Sequence, residues 1–387
     1  MDRHQAKQLI PAIAGTMIAM LPMETTPFLI SGAVGSGHLD LEAASWVGTA
    51  SIGAVATTSI AISPLLGRIP LRLTVVSLGA VVAASYLLMA LATSFAGYLF
   101  LAVSAGAACG GLLGCMAMVV AATRDPDRSY GVIYASTGIV FAALLFALPA
   151  VGAAFSVAMM FVLNAAVALL ALPLATRVRA RDASSHDGEG GTSARVNWNW
   201  VILLIFIMSI AFPIYGGVYG FAERKAVEVG LSSVQAGMVL SAATLLTIIG
   251  TLFVAAIGTR FGRLLPTLAV MFLATAAYGL TLRATEPTAF IIGFLIFGFM
   301  QLTLNSYFFG LASALDRGGK VAAFLQGYSL IPYALGTGIF GSLTQGGPLT
   351  LLAMPAIGVN LLATVLLLPI LISLDRRRTV PGLLVEA

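Results

Sequence analysis

The sequence predicts an all-α membrane protein, with twelve transmembrane helices arranged as two pseudo-symmetric six-helix bundles. Three observations carry this reading. Only 9% of the 387 residues are charged while 59% are hydrophobic, against roughly 25% charge in a soluble domain, whose surface must be wetted. The apolar stretches are each near the ~20 residues that cross a bilayer as a helix, and they lack the strict alternation of ~10-residue barrel strands. The basic residues fall in alternate gaps between the stretches, as the positive-inside rule requires.

Spans are expected over 9–34, 45–66, 73–94, 97–123, 130–151 and 154–176, and then over 200–222, 233–257, 264–283, 287–313, 319–342 and 348–374. The first is too long for a signal-peptide core, carries Glu24 and lacks a small-residue cleavage site, so it is expected to be retained. The cut between the fifth and sixth spans rests on Pro149, Gly152 and Ser156, and charge placement tests it. With the N-terminus inside, Arg3, Lys7, Arg68, Arg72, Arg124, Arg128, Arg177, Arg179, Arg181, Arg195, Arg260, Arg263, Arg317, Lys320 and Arg376 to Arg378 all face one side. Only three of the 20 Lys and Arg, namely Arg224, Lys225 and Arg283, fall on the other. Fusing the fifth and sixth spans would move every later loop across the membrane and destroy the bias. Both termini are therefore expected in the cytoplasm, in a cell inner membrane.

The polar Gly/Ser-rich stretch within 177–199 reads as a flexible cytoplasmic linker, giving an N-terminal bundle over 1–176 and a C-terminal bundle over 200–387. His186 in that linker is expected to be solvated. The halves repeat at about 190 residues. Gly67-Arg68-Ile69-Pro70-Leu71-Arg72 follows the second span and Thr259-Arg260-Phe261-Gly262-Arg263 the eighth, while Asp127-Arg128 and Asp316-Arg317 follow the fourth and tenth.

Over its whole length the chain resembles the major facilitator superfamily, whose outline is twelve spans as six plus six, a central cytoplasmic loop and basic loops after the second and eighth spans. Arg68, Arg72, Arg260, Gly262 and Arg263 match that family's loop signature, whereas Gly67 and Thr259 stand where it has an acid and Pro70 where it has Gly. Leu148-Pro149-Ala150-Val151-Gly152-Ala153 is similar to the Gly-Pro-x-x-Gly-Gly motif of the antiporter branch through Pro149 and Gly152. The fourth-span Arg of that branch has no counterpart between Leu101 and Gly111.

Glu24 is the only Asp, Glu, Lys, Arg or His well inside any span. A mid-membrane carboxylate costs at least ~2.5–3.5 kcal/mol, so such groups line cavities or pathways. It lies in Leu21-Pro22-Met23-Glu24-Thr25-Thr26-Pro27, where two prolines remove backbone donors and loosen the helix. Freed carbonyls and the Thr25 and Thr26 hydroxyls are expected beside the acid, as in discontinuous-helix sites. The alternatives are a proton-titrating, cation-binding carboxyl and a carboxyl that only bonds a neighbouring helix. The resemblance points to the former, since several drug-proton antiporters of the superfamily carry an acid in the first helix.

In that family spans one, four, seven and ten line the central cavity, which implies Met20, Glu24 and Phe28 on one face of the first span, Tyr215 and Tyr219 in the seventh, and Gln301 and Asn305 in the tenth. Glue between helices is the competing reading for the two amides, and the expected one for Gln326, Tyr328, Asn164 and Asn360. Gly106, Gly110 and Gly114 read as a close-packing face. Cys109 and Cys115 exclude a disulfide scaffold, and no metal or cofactor is expected.

A pocket with one acid and no base suits a neutral or cationic amphipathic compound better than an anion. The function expected is secondary active transport by alternating access, as proton-coupled export from a monomer. Proton symport or facilitated import of a nutrient, sodium in place of the proton, and a non-transporting receptor or assembly subunit are the alternatives. No reactive set of side chains points to an enzyme, and topology already explains the basic net charge without nucleic acid.

Overall fold

Nearly all of the described residues lie in helices, because backbone groups in lipid must be paired within their own segment. The structure, a computed structural model, describes residues 3–62, 65, 68–121, 126–178, 197–257, 262–315, 320–345 and 347–379. Arg124, Arg179, Arg181, His186, Arg195, Arg260, Asp316 and Arg317 lie outside the described residues, as does most of the expected 177–199 linker.

The helices are α1 (Arg3–Glu24), α2 (Thr26–Gly35), α3 (Leu41–Ala61), α4 (Leu71–Met89), α5 (Phe95–Ala121), α6 (Pro126–Ala154) and α7 (Ala158–Ala175). They continue with α8 (Trp198–Gly220), α9 (Ala222–Glu228), α10 (Ser233–Ile257), α11 (Leu264–Arg283), α12 (Pro287–Leu315), α13 (Lys320–Thr344) and α14 (Ala353–Thr379). Among the described residues nine helices are long and apolar enough to cross a membrane: α4 to α8, α10 to α12, and α14 with the 3-10 turn before it. The pair α1 and α2, bent by 52° at Thr25, makes a tenth as one broken span. The chain is thus a multi-pass membrane protein. Phe100, Leu170, Leu252 and Met354 are each more than 60% exposed, an apolar surface suited to lipid contact.

Two further expected spans, at α3 and α13, are long enough but less apolar. Their composition has a packing reason, since α3 and α13 lie against one another. Ser45, Thr49 and Ser51 on one, and Ser329, Thr337 and Thr344 on the other, are buried in protein. The Thr49 and Thr337 hydroxyls are 2.8 Å apart, and Thr49 Oγ1 accepts from Gly338 N at 2.8 Å.

The remaining contacts fall into two groups. In one, α5 packs on α1, α3 and α4, and α7 on α1 and α4; in the other, α12 packs on α10 and α11, and α8 on α13 and α14. The groups meet chiefly where α3 lies on α13 and α6 on α10. Glycine permits the closest approaches. A Cβ at Gly106 would lie 2.1 Å from Ser51 O, and one at Gly110 2.3 Å from Val55 O, so α5 rests directly on the α3 backbone. Likewise a Cβ at Gly216 would lie 1.9 Å from Tyr333 O and one at Gly336 2.1 Å from Pro213 O, which joins α8 to α13. Pro149 fills the space left by Gly237 across the α6–α10 seam, and Gly152 makes room for Met160 of α7. Cys109 and Cys115 are buried, and the Cys109 thiol donates to Ile18 O at 3.3 Å.

Candidate functional site

The break in the first span follows from local chemistry. Proline at 27 has no N–H to give to Met23 O, and Phe28 N turns to Thr25 O at 3.1 Å instead of reaching back to Glu24 O. The carbonyl of Glu24 is therefore orphaned inside the membrane. Tyr219 of α8 takes it up: its hydroxyl donates to Glu24 O at 2.7 Å and stands 3.4 Å from Glu24 Oε2. One tyrosine thus holds both the broken backbone and the acid side chain at the break.

The two threonines behave differently from the sequence expectation. The Thr25 hydroxyl donates to Leu21 O at 2.7 Å and the Thr26 hydroxyl to Pro22 O, and both residues are buried. A threonine hydroxyl inside a helix has its own carbonyl four residues back within reach. Among the described residues the acid has Tyr219 as its side-chain partner.

Aromatic rings surround this point. Tyr215 lies 5.0 Å from Tyr333 of α13 and 5.4 Å from Phe297 of α12, edge-on or tilted. Phe297 also stacks on Tyr219 at 6.4 Å and meets Tyr278 of α11 at 6.1 Å. Such rings present electron-rich faces that attract cations.

The structure brings Glu24, Tyr215 and Tyr219 together, and the Tyr215 hydroxyl faces the Gln301 amide. Gln301 Oε1 is also 3.4 Å from Thr247 Oγ1 of α10. Asn305, one turn further along α12, has a buried Oδ1 without a hydrogen-bond partner among the described residues. Met20 is partly buried on α1, whereas Phe28 lies beyond the bend, fully buried in the core. Of the residues expected as glue, Tyr328 bonds Ser209 of α8 at 2.6 Å and Asn360 bonds Met271 O of α11 at 3.0 Å, while Asn164 donates to Met160 O on its own helix.

The loop-motif residues are elsewhere. Arg68 and Arg72 are exposed beside the start of α4. Gly262 adopts φ +75° before α11, a conformation glycine takes without a side-chain clash. Its backbone is approached so closely that a Cβ would lie 2.7 Å from Asp375 Oδ2. Asp375, near the end of α14, accepts from Arg263 N and Leu264 N at 2.9 Å each, and Arg263 Nη1 donates to Gly310 O of α12 at 3.0 Å. A carboxylate from the end of α14 thus caps the N-terminus of α11.

Sequence reasoning missed Tyr333, Phe297, Asp375 and Glu223. The Pro332-Tyr333 pair echoes Pro213-Ile214-Tyr215 and was a usable signal for the first; Phe297 sits in a run rich in Phe with nothing to mark its face. Glu223 was hidden in the charged run Glu223-Arg224-Lys225, yet it is only 5% exposed.

The comparisons agree with this architecture. No curated protein matches the chain by sequence. Among solved structures, the nucleoside transporter NupG superposes with a TM-score of 0.76 at 12% identity, covering 94% of this chain and 99% of that one. The peptide transporter POT gives 0.71 at 12% identity over 96% and 99%. A bacterial homologue of the human lysosomal transporter Spinster, in an inward-facing and unoccupied conformation, gives 0.68 at 14% identity over 99% and 100%. At these identities the likeness is one of fold. The family model of the Major Facilitator Superfamily matches residues 12–337, and the chain belongs to that superfamily.

Proposed function

We propose that the protein is a proton-coupled exporter of a neutral or cationic amphipathic compound, working by alternating access between two six-helix bundles that together supply twelve spans. In this reading α1 with α2, α3 and α13 complete the set of twelve, and both termini face the cytoplasm across an inner membrane. The observation that carries the proposal is the placement of Glu24. The one acid well inside a span lies at a helix break, next to Tyr219, among the rings of Tyr215, Tyr333 and Phe297. A carboxylate there can hold either a proton or an organic cation. Both occupants use the same oxygens, so loading one displaces the other, which is the requirement for antiport. The printed names of the neighbours, for nucleosides and peptides, show how widely the fold's substrates range, so the chemistry of Glu24 decides the class proposed here.

The closed end of the molecule supports the alternating-access part. The cross-seam hydrogen bonds at Glu24, Ser31, Glu42, Trp46 and Thr49 all lie toward the end carrying residues 36–40 and 221–232, here the distal end. In reconstituted vesicles an imposed proton gradient should drive uptake of a lipophilic aromatic cation against its own gradient, with sign reversal when the gradient is reversed. Flux that ignores the gradient would move the reading to a facilitator. Binding without any flux would move it to a receptor.

A further inference from the structure

The buried carboxylate of Glu223 is the partner of Ser31 in one of the cross-seam bonds. Glu223 sits on α9, the short helix that follows α8 at the distal end, and both of its oxygens are engaged. Ser233 at the start of α10 donates to Oε1 at 2.7 Å, and Ser31 of α2 donates to Oε2. The first bond stays within one group of helices. The second crosses the seam, linking positions 192 residues apart.

Helix α9 packs chiefly on α10 and is tied to the turn before α14, where Leu349 N donates to Glu228 Oε2 at 3.4 Å. Within α9 itself Lys225 is almost wholly buried, its Nζ 2.9 Å from Glu228 Oε1. Arg224 is the remaining charged side chain of this helix. On the opposing side, α2 is a ten-residue helix set at 52° to α1. It is gripped at its base by Tyr219 on Glu24 O and seven residues further along by Glu223 on Ser31. If the distal end is to open, the second grip has to let go.

Ser31 has somewhere to go. Its hydroxyl also lies 3.0 Å from Pro27 O, four residues back on its own helix, and one hydroxyl proton serves one acceptor well at a time. In the closed arrangement the carboxylate, as a charged acceptor, makes the stronger bond. On separation the hydroxyl falls back to Pro27 O and the carboxylate keeps Ser233 while water reaches its other oxygen. Neither half is left with an unsatisfied polar atom, so the contact can break and reform.

We infer that Glu223 is a gate residue of transport, a latch that holds α2 through Ser31 and closes the distal end. The inference rests on the transporter reading but not on proton coupling at Glu24. The sites around the latch separate its role from general packing, because Ser31→Ala removes the bond across the seam while Ser233→Ala removes the bond within one side.

The test is a distance measurement by pulsed electron resonance on the full-length protein in lipid nanodiscs. Spin labels are attached at His38→Cys and Val227→Cys, which are exposed on the two sides of the latch, the native cysteines being buried. Ser31→Ala should raise the ratio of separated to closed distal ends by about three- to tenfold, and Ser233→Ala should leave it nearly unchanged. Distances that do not move in Ser31→Ala, or that lengthen equally in Ser233→Ala, would overturn the latch. No substrate or gradient is present, so this result stands apart from the success or failure of the vesicle flux experiment.

Discussion

Replacing Tyr219 by Phe tests how the break in the first span is held. The hydroxyl lies 2.7 Å from the Glu24 carbonyl but 3.4 Å from its carboxyl oxygen, so the backbone bond is the stronger of the two. Removing one partner of a buried carbonyl costs about 1–3 kcal/mol in soluble proteins. Between membrane helices such bonds average about 0.6 and reach about 1.7 kcal/mol, because the separated helices find other partners in lipid. The second range fits this site, where both helices stay in the bilayer when the contact is lost. A fall of about 1–3 °C in melting temperature is expected for a chain of this size, read from intrinsic fluorescence in detergent. The decisive comparison is the same replacement on a Glu24→Gln background, which changes the carboxyl and keeps the carbonyl. If the hydroxyl acts on the backbone, the two losses agree within about 0.5 kcal/mol. A loss that disappears on the Gln background would show that the tyrosine serves the side chain, and the account of the orphaned carbonyl would be wrong.

Other expectations concern packing, the loop and pH. Gly216→Ala, whose Cβ would meet Tyr333 O at 1.9 Å, should cost about 1–3 kcal/mol as α8 and α13 are pushed apart. Gly131→Ala, in open space on α6, should instead stabilise by about 0.5–1 kcal/mol, and equal melting shifts would refute the close contact of α8 with α13. Gly262→Ala combines an unfavourable φ with a clash against Asp375, so its melting shift should shrink when Asp375→Ala is present; full additivity would separate the two residues. Organic-cation affinity, followed by tryptophan quenching, should rise with pH as Glu24 gives up its proton and stay flat in Glu24→Gln. A parallel rise in both proteins would place the titrating group elsewhere.

Much of the architecture was legible because lipid imposes simple rules on length and charge. The spans of α4, α5, α8 and α10 to α12 could be placed from apolar length, the cut between α6 and α7 from its punctuation and charge placement, and the break at Thr25 from Pro22 and Pro27. At α3 and α13 apolar length was a weaker guide, since Ser and Thr there face another helix and lipid contact does not limit them. The site was legible where a residue violated its surroundings, as Glu24 does. Tyr333 and Phe297 violate nothing, being aromatic residues in apolar helices, and their meeting with Tyr215 depends on the glycine contacts between α8 and α13. Glu223 and Asp375 were lost for a related reason. Each sits in a charged stretch that reads as solvated surface, and the partner that gives it a structural role, Ser31 for Glu223 and the Arg263 and Leu264 amides for Asp375, is more than a hundred residues away in sequence.

The claim on which the functional account depends is competition between a proton and the substrate at Glu24. It is tested most directly by measuring proton release when a lipophilic aromatic cation is added to the purified protein in weakly buffered detergent solution. The account predicts release of about one proton per bound cation in the wild type, and binding without release in Glu24→Gln. Equal release from both proteins, or binding to the wild type with none, would contradict it.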